Sequence, residues 1–174
     1  MIKLSLILTD FVNLKRLIDQ QVAGAQQKGI ENQPLWTMVK PSAGKLDRII
    51  IEPSELVCLY EFRAFDTVTA IIEATMQHTT VVDSFNTYSE LRMRLKDYMP
   101  SHSVEGAVVI SALTSKQSLE VTPRLLELES TIGEINRMLP GFVQTTTDLV
   151  QSLGPLGKKI FADPKFPTIS NKPI

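Results

Sequence analysis

Apolar side chains in the first 26 residues recur at alternating intervals of three and four positions. The repeat is Leu4, Ile7, Phe11, Leu14 and Ile18. Since an α-helix has about 3.6 residues per turn, this spacing places one apolar stripe along one side of a helix. Gly29 follows as a helix stop. The pattern favours one continuous helix, and the alternative is a strand at residues 3–9 followed by a helix capped by Thr9 or Asp10.

Two later segments carry the same spacing. The first is residues 122–139, with Thr122 as its N-cap and Pro140-Gly141 as its end; the second is residues 86–98, ended by Pro100. Their repeats are Leu125, Leu128, Ile132, Ile135 and Leu139, and Tyr88, Leu91, Leu95 and Tyr98. Such stripes are typical of helices that face one shared core. They also fit helices that pair with a neighbouring subunit.

Short runs between these segments resemble strands. The predicted strands are residues 35–40, 46–53 and 104–113, and "PSAGK" reads as a hairpin turn between the first two. Residues 54–62 fit a strand or a helix, and residues 66–77 have helical spacing despite their β-branched content. The predicted fold is therefore α+β, with a small, mainly antiparallel sheet packed with several amphipathic helices and followed by an extended C-terminal arm.

The arm, residues 154–174, differs in composition from the rest of the chain. It has four prolines, four lysines and one acidic residue, a formal charge of +3. Prolines favour extended backbone, and apolar anchors recur along the arm at Phe161, Phe166, Ile169 and Ile174. An extended segment of this kind binds a groove or a sheet edge on a partner, so these four residues are the predicted partner-binding residues. The alternative is a frayed terminus after a single domain of residues 1–153.

Composition narrows the class of protein. With 174 residues, 43% hydrophobic and 21% charged, the chain is long enough for one packed core. Its net charge of −1 gives no field that attracts nucleic acid. The one basic run, Arg92, Arg94 and Lys96, is offset by Glu90 and Asp97, so a nucleic-acid partner is not predicted.

No targeting or membrane segment is predicted. The apolar run "LSLIL" stops at Thr9-Asp10, and charged residues follow before the small residues Ala23-Gly24-Ala25 that a signal peptidase would require. No window approaches the roughly 20 apolar residues of a membrane span. With a single cysteine, Cys58, an internal disulfide framework is excluded. We therefore expect a cytoplasmic protein.

The search for catalytic chemistry gives negative results. Neither His78 nor His102 has a metal-ligand partner at the required spacing. "GPLGKK" has the wrong glycine spacing for a phosphate loop, and Lys159 replaces the hydroxyl residue. We expect no cofactor, no metal and no enzymatic activity.

Two functional hypotheses follow. The first is a non-catalytic structural or assembly subunit of a larger complex, of the kind found in virions or secretion machines, which holds neighbours through helix stripes and the arm. Its partners would be other protein subunits, as a homo-oligomer or in a hetero-assembly. The alternative is a small enzyme or ligand-binding module whose site forms in three dimensions around His78 or His102.

Overall fold

The computed structural model describes residues 2–29, 33–41, 45–98, 103–105, 108–110, 114–162 and 165. These residues form an all-α protein, so the predicted α+β class is wrong. The helices are α1 (Ile2–Gln26), α2 (Leu35–Met38), a 3-10 helix (Pro53–Leu56), α3 (Val57–Glu61), α4 (Phe65–Tyr98) and α5 (Ser115–Phe161). The strands among the described residues are β1 (Ser103–Glu105) and β2 (Val108–Ile110), a three-residue antiparallel pair.

The prediction of one continuous N-terminal helix is confirmed. The stripe predicted for α1 is buried throughout: Leu4, Ile7, Phe11, Leu14 and Ile18 are each at most 5% exposed. The helix ends at Gln26, and Gly29 then adopts a φ of 74°, a conformation that glycine reaches without steric cost. The strand alternative for residues 3–9 is therefore excluded.

Helix α4 joins two segments that were predicted separately, residues 66–77 and 86–98, into one helix of 34 residues. Tyr88 and Leu95 of the predicted stripe are buried, and Leu91 is half-buried. The β-branched residues of the first segment do not prevent the helix, because burial of Val68 and Ile71 outweighs their weak propensity penalty.

Helix α5 continues through the predicted stop at Pro140-Gly141 and extends 47 residues, from Ser115 to Phe161. The structure also moves its N-cap from Thr122 to Thr114. Thr114 and Gln117 form a reciprocal capping box, with the Gln117 N–H donating to Thr114 Oγ1 and the Thr114 N–H donating to Gln117 Oε1 at 3.0 Å. The predicted stripe is nonetheless confirmed over four of its five residues, since Leu128, Ile132, Ile135 and Leu139 are all 0% exposed; Leu125 is half-buried.

Most of the residues predicted as strands form helices or irregular segments in the structure. Residues 35–38 form α2, residues 46–52 lie outside any helix or strand, and residues 54–61 are helical. The run 104–113 contains parts of β1 and β2 in place of a single strand. Ser42, Ala43 and Gly44 of the predicted hairpin turn lie outside the described residues. Alternation over five or six residues is too short to decide between strand and helix, so packing against the long helices decides.

The chain divides into two compact units. Unit 1 comprises Met1–Asn13, Arg48–Thr80 and Leu139–Ile174, and unit 2 comprises Leu14–Asp47 and Val81–Met138. Each has its own core: Ile7, Phe11, Ile71 and His78 are central to unit 1, and Val39, Phe85, Tyr88 and Ile132 to unit 2. The boundary predicted between residues 153 and 154 stays a prediction.

The arm is not extended over its first part. Residues 154–161 belong to α5, which contradicts the extended conformation predicted for them. Ala162 then takes a φ of 48°, a left-handed conformation of the kind that commonly follows the last residue of a helix. Among the described residues, no helix is long and apolar enough to cross a membrane.

Candidate functional site

Large apolar side chains are concentrated on the surface of unit 1. Of the thirteen exposed large apolar side chains among the described residues, seven fall within residues 50–76, each 43–64% exposed. We call them the apolar surface: Ile50, Val57, Tyr60, Phe62, Phe65, Ile72 and Met76. Within this set, the Tyr60 and Phe65 rings are in contact, and Ile72 and Met76 line one groove. Local apolar patches of this kind mark sites of interaction, whereas scattered single residues do not.

The turn between α3 and α4 fixes part of this surface. The Ala64 N–H donates to Leu59 O and the Arg63 N–H donates to Tyr60 O, a Schellman motif with Arg63 at a φ of 56°. The turn brings the rings of Tyr60 and Phe65 to a centroid distance of 6.3 Å. The hydrogen-bonded backbone of this turn therefore holds the two exposed aromatic side chains next to each other.

A groove lies beside the apolar surface, between residues 51–56 and α4. Its volume is about 320 Å³. Its lining is Ile51, Leu56, Ile71, Ile72, Thr75, Met76, Thr79 and Thr80. Leu56 and Ile71 form a buried floor, whereas Ile72 and Met76 are exposed on the wall.

The threonines add little polarity to the groove. Thr75, Thr79 and Thr80 each donate their hydroxyl hydrogen to the backbone carbonyl four residues earlier, at 2.8–3.0 Å. Because those hydrogens are engaged within α4, the side chains offer a partner mainly their methyl groups. The groove is thus suited to apolar side chains.

Two carboxylates lie on one side of the groove, in the segment of residues 51–56. Glu52 and Glu55 cap the 3-10 helix reciprocally, and Lys3 Nζ donates to Glu55 Oε2 at 2.5 Å. The hydrogen bond from Lys3, followed by that from the Glu52 N–H, holds the pKa of the Glu55 carboxyl below its usual value. Glu55 therefore stays ionised at neutral pH, and its negative charge is paired with the positive charge of Lys3.

The four predicted partner-binding residues have different outcomes. Phe161 is the last residue of α5 and its side chain is 55% exposed. Phe166, Ile169 and Ile174 lie outside the described residues, so their assignment stays a prediction. Lys158 and Lys159 form the basic last turn of α5 beside Phe161.

His78, named in the alternative hypothesis, is completely buried in unit 1. Its Nε2 lies 2.9 Å from Asp10 Oδ2, and its ring contacts Phe11 with centroids 5.7 Å apart. A carboxylate thus lies beside this histidine, but the groove is lined by other residues and the imidazole is 0% exposed. His102 lies outside the described residues.

A polar cluster in unit 2 involves the one tryptophan. Glu129 Oε2 accepts a hydrogen bond from the backbone N–H of Trp36 at 3.0 Å, and Arg92 lies 5.9 Å from the Trp36 ring centroid. Tyr88 donates its hydroxyl hydrogen to Val39 O and accepts a hydrogen bond from Arg92 at 3.2 Å. Arg92, part of the basic run in the sequence, thus supports packing of the α2 segment.

No metal-binding site is found in the part of the chain that the structure describes. Within the described parts of the chain, no group of three or more His, Cys, Asp or Glu side chains is placed to hold a metal ion. Cys58 is a half-buried free thiol in α3.

Sequence reasoning missed the apolar surface. The helical spacing noted for residues 66–77 is that of Val68, Ile71, Ile72 and Met76. In the structure, Val68 and Ile71 are buried whereas Ile72 and Met76 are exposed. A signal was present, since Phe65, Ile72 and Met76 lie seven and four positions apart and form a second stripe on α4.

Comparisons of the chain with protein-family models, with curated proteins and with solved structures find no significant match.

Proposed function

We propose that this protein is a non-catalytic assembly subunit that binds neighbouring protein subunits through the apolar surface of unit 1. The observation that carries the proposal is the placement of seven large, exposed apolar side chains within residues 50–76. Burying such side chains against a partner is favourable by about 25 cal/mol per Å² of apolar area.

The aromatic share of this surface favours protein partners. Tyr60, Phe62 and Phe65 are of the residue types enriched at the centres of protein interfaces. A formal net charge of −1 adds no attraction to nucleic acid or to an anionic membrane. The neighbour is a second copy of this chain or another subunit, and the arm residues Phe161, Phe166, Ile169 and Ile174 are proposed as further contacts.

Light scattering after size-exclusion chromatography tests the proposal on the intact chain at several concentrations. The wild type is expected to self-associate, and Met76→Glu is expected to weaken association about tenfold or more, because it buries an unpaired charge at the interface. Met93→Glu is the matched control: Met93 is also on α4 and 59% exposed, against 64% for Met76, but belongs to unit 2.

Equal mass distributions for the wild type, Met76→Glu and Met93→Glu would contradict the proposal in its homo-oligomeric form. Far-UV circular dichroism of each variant checks that the helices are retained. For the hetero-assembly, the same variants are used against the partner subunit, with the same expected order of affinities.

A further inference from the structure

We infer that the groove of unit 1 binds the end of α5 from a second copy of this chain, so that copies associate head to tail. The end of α5 is here residues 158–161, with Phe161 as its exposed aromatic side chain and Lys158 and Lys159 as its charges. This inference rests on the proposed function, because it names the partner segment for the same surface.

One chain presents both halves of this contact, at different places on unit 1. Every residue that lines the groove lies within residues 51–80. Phe161 is held at the end of a continuous helix, and there its side chain is 55% exposed. Burial of an exposed phenyl ring and of an apolar groove is favourable for each. Two copies can therefore bury together what a single copy leaves exposed.

The size and lining of the groove suit an aromatic ring. A cavity of about 150 Å³ lined by aliphatic side chains holds a benzene molecule, and the groove has a volume of about 320 Å³. Its floor is formed by Leu56 and Ile71, and Met76 is exposed on its wall. Contacts between a methionine sulfur and an aromatic ring are favourable. The Phe161 ring thus fits the groove in volume and in chemistry.

The end of α5 and the rest of unit 1 carry opposite formal charges. In the ranges that make up unit 1, the residues before Lys158 include seven carboxylates and three lysine or arginine side chains, a formal charge of −4. Lys158 and Lys159 contribute +2 in the last turn of α5. Since opposite charges steer two surfaces together and like charges keep them apart, the end of α5 is attracted to the acidic part of another copy.

Glu73 is placed to pair with this end. It is exposed, and it lies three residues before Met76 and seven before Thr80, at the edge of the α4 face that lines the groove. Lys158 lies three residues before Phe161, so these two side chains share one face of α5. When the Phe161 ring of one copy lies against Met76 of another, Lys158 is therefore brought toward Glu73.

A contact of this kind joins two different surfaces, so it is heterologous. Each copy has one groove and one end of α5, and each bound copy still offers one unoccupied surface. Heterologous contacts therefore continue until a ring closes, or they form an open filament. With both surfaces intact, association is expected to proceed beyond a dimer.

Complementation between two variants of the whole chain tests the inference. Met76→Glu blocks the groove and keeps the end of α5, whereas Phe161→Glu blocks the end and keeps the groove. We expect each variant alone to associate about tenfold or more weakly than the wild type, because a charge replaces a buried apolar side chain. An equimolar mixture has one intact groove and one intact end. Light scattering and native mass spectrometry should show that it forms a dimer with one copy of each variant and nothing larger.

Leu119→Glu is the matched control for Phe161→Glu. Leu119 also lies on α5 and is 78% exposed, against 55% for Phe161, but it belongs to unit 2. We expect this variant to associate as the wild type does. Circular dichroism of every variant verifies that the helices are retained.

Charge reversal provides a second test with milder substitutions. Glu73→Lys and Lys158→Glu each place like charges together, and each alone should weaken association about two- to fivefold, the effect of an exposed ion pair. Their mixture should regain the wild-type strength, because every contact between the two variants again joins opposite charges.

Three results would overturn the inference: a mixture that associates no better than its separate variants, wild-type association of Phe161→Glu, or a wild type that is monomeric at every concentration. The two blocking variants separate this failure from that of the proposed function. If Met76→Glu weakens assembly but Phe161→Glu does not, the apolar surface binds a neighbour and only the segment named here is wrong. If Met76→Glu leaves self-association unchanged, the inference and the homo-oligomeric form of the proposed function both fail.

Discussion

At the scale of the residue, His78 is stabilised by one hydrogen bond within a buried aromatic cluster of unit 1. Its Nε2 pairs with Asp10, while its Nδ1 and the buried Thr146 Oγ1 have no hydrogen-bond partner among the described residues. A buried polar atom without a partner costs about 1–3 kcal/mol. The hydrogen bond to Asp10 is therefore the interaction on which the burial of this imidazole depends.

We expect Asp10→Ala to lower the free energy of unfolding by about 1–3 kcal/mol, because it leaves a second ring nitrogen of His78 buried and unpaired. Asp10→Asn should cost less, since its amide oxygen still accepts the bond from Nε2–H. Urea unfolding monitored by circular dichroism measures both.

The matched control for Asp10→Ala is Asp19→Ala, which removes the exposed ion pair of Asp19 with Lys15 on the same helix. Such exposed pairs contribute about 0.3–0.5 kcal/mol. Equal losses from the two alanine variants would show that the His78 hydrogen bond contributes no more than a surface contact.

The burial of Tyr88 predicts that the free energy of unfolding falls at alkaline pH. Burial raises the pKa of its hydroxyl, although Arg92 opposes this rise. Because the folded state prefers the neutral phenol, its contribution is complete below the unfolded pKa of about 10 and is lost as the pH rises through the folded pKa. Urea unfolding should show wild-type stability falling in this range more steeply than that of Tyr88→Phe.

The Phe variant is also expected to be less stable at neutral pH by about 1 kcal/mol, since Val39 O loses its donor. If the two proteins lose stability in parallel above pH 10, ionisation of Tyr88 is not coupled to folding.

At the scale of the element, the sequence predicted stripes better than boundaries. The stripes of α1 and α5 are buried as predicted, because the interval of three and four residues directly reports one helical face. The end of α5 was mispredicted because Pro140 normally stops a helix. Pro123, Pro140 and Pro155 are all exposed, so the carbonyl that each leaves without a donor can be hydrated.

The short elements and the candidate site could not be predicted from the sequence, for a different reason. The segment 35–40 is held by Glu129 and Tyr88, which lie about 50 to 90 positions away in the chain, and no local pattern encodes such contacts. The apolar surface was missed because helical spacing alone does not distinguish a face toward the core from a face toward a partner.

Gly141 offers a test of how α5 tolerates its Pro-Gly pair. Gly141→Ala is expected to raise the free energy of unfolding by about 0.5–1 kcal/mol, because alanine has the higher helix propensity. A Cβ placed there has no atom within 4 Å, so no clash opposes the gain. Thermal or urea unfolding measures the difference.

Gly29→Ala is the control with the opposite sign. The Cβ at this position is also unobstructed, but the φ of 74° disfavours any residue with a side chain. Destabilisation by Gly141→Ala, or stabilisation by Gly29→Ala, would contradict the conformations assigned to these two glycines.

At the scale of the whole molecule, the two units share their helices. Residues of α1, α4 and α5 contribute to both unit 1 and unit 2, so neither unit holds a complete long helix of its own. We therefore expect the chain to unfold cooperatively, because unfolding of one unit removes packing from helices that also belong to the other.

The single tryptophan makes this cooperativity measurable. Trp36 reports on unit 2, whereas Asp10→Ala weakens unit 1. We expect Asp10→Ala to shift the urea midpoint of Trp36 fluorescence and that of circular dichroism by the same amount. A fluorescence midpoint that stays at its wild-type value while circular dichroism shifts would show that the units unfold independently.

The lone thiol sets a stoichiometric limit on covalent association. With Cys58 as its one sulfhydryl group, a chain can form a disulfide only with another molecule, and each chain can do so once. Oxidation can therefore link native chains in twos and no further. Any larger particle that survives denaturation under oxidising conditions must owe its cohesion to another kind of bond.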